Sequence, residues 1–177
     1  GASRARMDLD FEITLRKHTP LTSVADLEEA CEIFLTQIGY FGPRTTGSNV
    51  RDSIPFRLFV DCFLLRRDKV WQIKELAHEM DTTQPTIGKY VATLRAMSLV
   101  EESTFEGDDG KTKRGYKLRY SNLSDAWHFV EENVNVSMAN YRKSVDKMLA
   151  LLYVLECDLE FTIGAARAED DGSRQAG

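Results

Sequence analysis

Apolar residues recur every three to four positions along most of this chain, and alternate with polar ones over only one short stretch. After a mixed-charge opening closed by Pro20, the segment TSVADLEEACEIFLTQIG puts Leu27, Ala30, Cys31, Phe34, Leu35 and Ile38 on one face behind a cap-like Thr22 or Ser23. This spacing predicts an amphipathic helix ended by Gly39. The first 21 residues are expected to be an arm, with a strand around Phe11 to Leu15. YFGPRTTGSN, rich in Gly, Pro, Thr and Ser, reads as a loop. A second helix is expected from about Ser53 to Arg67, with Pro55 in its first turn and Phe56, Phe59, Val60, Phe63 and Leu64 as its apolar face.

From residue 70 the pattern becomes more informative. Val70 to Gln72 suggest a very short strand or turn, and IKELAHEM repeats Ile73, Leu76, Ala77 and Met80 on one face. DTTQ breaks that pattern. A further helix, from about Gln84 to Met97, points Ile87, Val91, Leu94 and Met97 inward with Tyr90 at the edge of that face. LVEESTF and RGYKLRY then alternate apolar and polar residues, and Asp109–Gly110 between them is a strong hairpin-turn signal. Helix, turn, helix and hairpin in that order predict a winged helix-turn-helix, mainly α with a small β-hairpin wing.

Beyond Ser124 one long helical pattern remains. Its apolar positions run through 127, 130, 134 and 138, then Tyr141, Val145, Met148, Leu152, Leu155 and Leu159, in near-strict alternation of three and four. That alternation is a coiled-coil seam. Asn133, Asn135 and Asn140 lower helix propensity at its start and make a bend there an open alternative. The seam fits a twofold dimer, and it also fits packing against Leu27, Phe34 and Phe59 of the same chain; the two are compatible. The expected organisation is an arm (1–21), a winged-helix domain with its preceding helix (22–123), a dimerisation helix (124–163) and a disordered acidic tail (164–177).

Composition narrows the classes. With 177 residues, 42% hydrophobic and 29% charged, the chain suits one folded unit with an appendage, and no apolar run approaches the roughly 18 residues of a membrane helix. GASRARMDLD lacks the apolar segment of a secretory signal, so the expected location is the cytoplasm, at the nucleoid. Cys31, Cys62 and Cys157 are odd in number and far apart, which suits reduced thiols. No metal-ligand spacing, phosphate loop or catalytic triad is present among the motifs, so no enzyme, metal or cofactor is expected.

A net charge of −5 does not by itself point to a polyanion, but its distribution does. KTKRGYKLRY, residues 111–120, carries five basic residues and no acidic one. On a wing, Lys111, Lys113 and Arg114 would meet phosphates or the minor groove and supply salt-sensitive affinity. On or before the second helix lie Thr82, Thr83, Gln84, Thr86, Lys89, Tyr90, Thr93 and Arg95. Thr and Gln can read base edges, Gln being suited to adenine; Lys89 and Arg95 suit phosphates, or guanine in the case of Lys89. Plain helix capping by Thr82 or Thr83 is the competing explanation of the Thr cluster.

The run WQIKELAHEMDTTQPTIGKYVATLRAMSLVEE resembles the winged-helix transcription regulators of the MarR type. The matched pieces are Ile73, Glu75, Leu76 and Ala77, then Thr83 to Thr86, then Leu94, Leu99 and Val100. The preceding helix with its loop, and the long final helix, are similar to the GbsR-like branch of that group. The resemblance covers about fifty residues through Tyr120 and implies a homodimer that binds double-stranded DNA and regulates transcription. Gly88 departs from it where a polar groove-facing residue is usual, and Ser98 where the turn usually has Gly. Other readings stay open: a winged helix serving as a protein-interaction module, a redox sensor using Cys62 or Cys157, or an effector pocket of unknown ligand lined by Phe56, Phe59, Trp71, Trp127 and Tyr141.

Overall fold

In the computed structural model, residues 11–16, 23–41 and 49–176 are described. They contain α1 (Leu27–Gln37), a 3-10 turn (Val50–Asp52), α2 (Ile54–Arg57) continued as a π-helix (Leu58–Leu64), α3 (Ile73–Glu79), α4 (Gln84–Ala96), β1 (Val100–Glu106), β2 (Thr112–Leu118), a 3-10 turn (Arg119–Ser121) and α5 (Leu123–Gln175). The described residues are mainly helical with one two-stranded antiparallel sheet and a long C-terminal helix, an architecture compatible with a winged helix. It forms two compact units, residues 1–131 and 132–177.

Helix α1 begins at Leu27, where its apolar pattern begins, but later than a cap at Thr22 or Ser23 would start it. Its cap is Asp26, whose carboxylate accepts from the amides of Glu28 and Glu29, rather than Thr22, which lies outside the described residues, or Ser23. Three helices end in the same way. In each, a backbone N–H bonds back five residues and its predecessor three, around a left-handed residue: Gly39 after α1, Asp81 after α3, Ser98 after α4. Only the first is a glycine, and at Gly39 a Cβ would also collide with Thr14 of the arm.

The second helix is distorted rather than regular. Pro55, Phe56, Leu58, Phe59, Val60, Cys62 and Phe63 are all buried, more than a 3.6-residue stripe can hide on one face, and the widened π turns carry this load. The Cys62 carbonyl accepts from the indole N–H of Trp71 at 3.3 Å. Arg57 ties this helix to α1 through Glu28 at 2.7 Å.

Trp71, 1% exposed, is the hub of the first unit. Its backbone exchanges two 2.7 Å hydrogen bonds with Tyr116, adding a single rung beside β2 where the sequence suggested a short strand. Gly115 permits this approach, because a Cβ there would sit 2.5 Å from the Trp71 carbonyl oxygen. Leu76, Ile87, Val91, Leu94, Leu99 and Leu118 complete the core between α3, α4 and the sheet.

The arm segment 11–16 is extended but forms no strand. It is held by three backbone bonds, from Glu12 to Ala96, Thr14 to Ile38 and Arg16 to Gln37. The start of α5 belongs to the first unit: Ala126 and Val130 are buried, and Trp127 packs edge-on to Phe34 at 5.3 Å. So the unit boundary falls at residue 131, eight residues past the expected one. Past it the helix continues without a break through the three asparagines and on to Gln175. The stretch expected to be a disordered tail from residue 164 is helical as far as Gln175.

Candidate nucleic-acid interface

Helix α4 is anchored from behind by Ile87, Val91, Leu94 and Met97, all buried, which turns Thr86, Lys89 and Thr93 to the opposite side. Thr83 is the N-cap: its hydroxyl accepts from the Thr86 amide at 3.4 Å and lies 2.9 Å from the Thr86 hydroxyl. Capping and an exposed polar start thus coexist. Thr83, Gln84 and Lys89 are exposed, and Thr82 and Thr86 half-buried. Pro85 sits in the first turn, where its missing N–H costs nothing.

The rear half of α4 is less available. Thr93 donates to the Lys89 carbonyl at 3.1 Å and lines a cavity of about 320 Å³ with Ala92, Ala96 and the arm residues Glu12 and Thr14. A carboxylate beside that cavity disfavours a phosphate there. Tyr90 lies near the wholly buried Tyr40, whose ionisation is pushed well above the usual tyrosine range, first by burial and secondarily by Tyr90. Tyr90 is half-buried and, by helical spacing, lies between Leu94 and Met97 at the edge of the core face. Arg95 leans on the sheet: its guanidinium is 5.2 Å from the Tyr116 ring and 3.8 Å from Glu102.

The hairpin pairs Val100 with Leu118 and runs out to Glu106 opposite Thr112, closed by Gly110 at φ +73°. The antiparallel register sets acidic β1 against basic β2. Glu101 pairs with both Lys117 and Arg119, at 3.7 and 3.6 Å, and Arg119 also donates to the Ser98 carbonyl at 2.7 Å and stacks on Phe129. These two cations fasten the sheet to its surroundings. Lys113 lies 3.9 Å from Asp109, and Arg114, 81% exposed, 3.7 Å from Glu102. From Val100 to Arg119 five carboxylates face five cations, so the hairpin as a whole is neutral. The basic cluster read from residues 111–120 alone is a local feature of its distal end. Among the described residues, Lys89 and Lys111 have no ion-pair partner.

The aromatic pocket does not form as expected within the first unit: Phe56, Phe59 and Trp71 are core residues, 0–1% exposed. The cysteines divide. Burial pushes the Cys62 thiol from its ordinary 9.0 to about 12, outweighing the nearby Arg66, so it offers no thiolate near neutral pH and does not suit a sensor. Cys31 is raised as well, chiefly by burial, and Cys157 is exposed on α5. Among the described residues no group of three His, Cys, Asp or Glu is placed to hold a metal ion, and no helix is long and apolar enough to cross a membrane.

The expected dimer residues Tyr141, Val145, Met148, Leu152, Leu155 and Leu159 all lie exposed on the second unit. No protein-family model and no curated protein matches the chain. Among solved structures, one titled "Possible transcriptional regulator from Methanosarcina mazei Go1" is similar to it with a TM-score of 0.37 and 13% identity, over 55% of this chain and 83% of that one.

Proposed function

We propose that this protein is a homodimeric, sequence-specific double-stranded DNA-binding regulator of transcription, a winged helix-turn-helix of the MarR type in which α4 enters the major groove and the β1–β2 hairpin acts as the wing. The observation that carries this reading is α4 itself. It is anchored by four buried apolar residues and presents an exposed Thr83, Gln84 and Lys89 at its N-terminal half, the part of a recognition helix that reaches base edges. Within the candidate set, Thr82, Thr83, Gln84, Thr86 and Lys89 are the groove residues, and Lys111, Lys113 and Arg114 the phosphate contacts of the wing. Thr93, Tyr90 and Arg95 act by positioning: Arg95 holds the hairpin against α4.

Electrostatic attraction then comes from few cations, which makes it measurable. Three phosphate contacts per protomer, six per dimer, would lose on the order of 10³ in affinity between about 50 and 200 mM salt. Fluorescence anisotropy on a labelled duplex tests this. Lys111→Ala and Lys113→Ala are each expected to flatten the log–log salt slope by about one unit per protomer contact removed. Absence of binding at about 50 mM salt, or binding insensitive to salt and to both substitutions, contradicts the reading.

A second reading has an observation of its own. The hairpin is neutral overall, which suits a protein partner as well as a phosphate backbone. A protein-interaction module would leave the duplex free while the hairpin substitutions abolished capture of its partner.

A further inference from the structure

Unit 132–177 is a single α-helix, and a helix with apolar residues on most of its circumference is not a finished structure in water. Met148 to Leu155 read MLALLYVL, eight apolar residues in succession, and their large side chains are bare: Met148 is 68% and Tyr153 69% exposed. We propose that this helix pairs antiparallel with the same helix of a second chain, the two crossing at Ala150. The proposal rests on the homodimer reading above and adds its polarity.

The heptad assignment follows from the spacing, with Met138, Val145, Leu152 and Leu159 at a, and Tyr141, Met148, Leu155 and Thr162 at d. Charge is distributed unevenly along it. Arg142, Lys143 and Lys147, against Asp146 alone, make the first part basic; Glu156, Asp158 and Glu160 make the later part acidic. In a parallel pair each part lies level with its own copy, basic beside basic and acidic beside acidic. Arg142 would then oppose Ser137, and Glu156 would oppose Leu151, so no flanking ion pair forms. In an antiparallel pair centred on residue 150, Val145 meets the partner's Leu155, Leu152 meets the partner's Met148, and Leu159 meets the partner's Tyr141. The flanking position of Arg142 then meets the partner's Glu156, twice by symmetry. Leu149 and Leu151 meet their own copies at the centre, where no charge intervenes.

The area suffices for a stable dimer. The six seam residues with Leu149, Leu151 and Ile163, at roughly 60–120 Å² of apolar surface each, would remove on the order of 1,000–2,000 Å² from water over both chains, the size range of specific interfaces. The antiparallel arrangement sends the two copies of Glu131 to opposite ends of the pair, about 57 Å apart at 1.5 Å per residue.

Cysteine crosslinking of the full chain with a short bismaleimide, in a Cys157→Ser background, tests the polarity. Tyr141→Cys and Leu159→Cys alone each place a thiol about 27 Å along the axis from its own copy if the helices are antiparallel. The double variant brings unlike thiols together. The expected result is a covalent dimer from the double variant and at most one-tenth of that yield from either single. Dimers from both singles would mean a parallel pair, overturning this inference while leaving the homodimer intact. A chain that sediments as a monomer throughout would overturn both. Charge provides an independent check: Arg142→Glu is expected to weaken the dimer several-fold, and adding Glu156→Arg to restore it, whereas failure of the double exchange to restore affinity contradicts the register.

Discussion

Ser98 sits at φ +64°, in the left-handed position that closes α4, with its amide bonded to Arg95 and the Leu99 amide to Leu94. A side chain with a Cβ is strained there by roughly 1–2 kcal/mol. Ser98→Gly is therefore expected to stabilise the first unit by about 0.5–1 kcal/mol after the entropy of a freer unfolded chain is allowed for, raising Tm by a few degrees in a thermal melt. A drop in Tm would mean that the hydroxyl has a role its surroundings do not reveal. The sequence already marked Ser98 as out of place for a turn glycine; it gave no such sign at Asp81, which adopts φ +51° in the same role after α3. Two other residues contribute to the alkaline limb of stability. Cys62 and Tyr40 are both buried in the protonated form with raised folded-state pKa values. Below pH 9 that contribution is fully present. As pH rises through 9 toward 12 the unfolded thiol ionises while the folded one does not, so stability falls by up to about 1.4 kcal/mol per pH unit for each group in its window. Thermal melts from pH 8 to 10.5 are expected to show this decline, and Cys62→Ala to flatten it while lowering the whole curve; a slope unchanged by Cys62→Ala would refute the assignment.

Among the elements, α3, α4 and the hairpin were the most legible, because each repeats a strong period with a breaker at its end. Ile87, Val91, Leu94 and Met97 are buried as their spacing predicts. The π-helical Leu58–Leu64 was not legible: its sequence is apolar nearly throughout, and periodicity cannot say that Leu58 and Cys62 are buried alongside Phe59 and Phe63. Nor was the docking of the arm legible, since it runs through backbone bonds, one to α4 and two to the end of α1, that leave no side-chain pattern; it brings Glu12 and Thr14 to the cavity that Thr93 also lines. Gly88 belongs to this scale as well. Nothing lies within 4 Å of a Cβ added there, so the glycine answers no packing need inside the chain. Gly88→Ala is expected to stabilise α4 by up to about 1 kcal/mol. If the same substitution lowers DNA affinity, close backbone approach to the duplex is the reason for the glycine; unchanged affinity would show that it contributes nothing to binding, and a lower Tm would contradict the open space around it.

For the whole molecule, charge placement is where sequence and structure diverge most. A basic run was plain in residues 111–120, but its acidic counterweight lies across the hairpin, and only the register between β1 and β2 reveals that Glu101 and Glu102 neutralise much of it. The surface proposed to face DNA thereby contracts to the N-terminal half of α4 and the distal end of the hairpin. The apolar spacing on α5 was legible, and what the structure adds is that its large residues from Met138 onward are exposed, while Val130 is buried in the first unit. Sequence-specific regulation, as proposed, depends on α4 reading bases. Selection of bound duplexes from a randomised pool, carried out with the full chain and with Gln84→Ala, tests that most directly. The expected result is an enriched motif for the parent chain that changes at one or two positions with Gln84→Ala, each discriminated by about 1–3 kcal/mol. No enrichment from the pool, or one motif unchanged by the substitution, would contradict it.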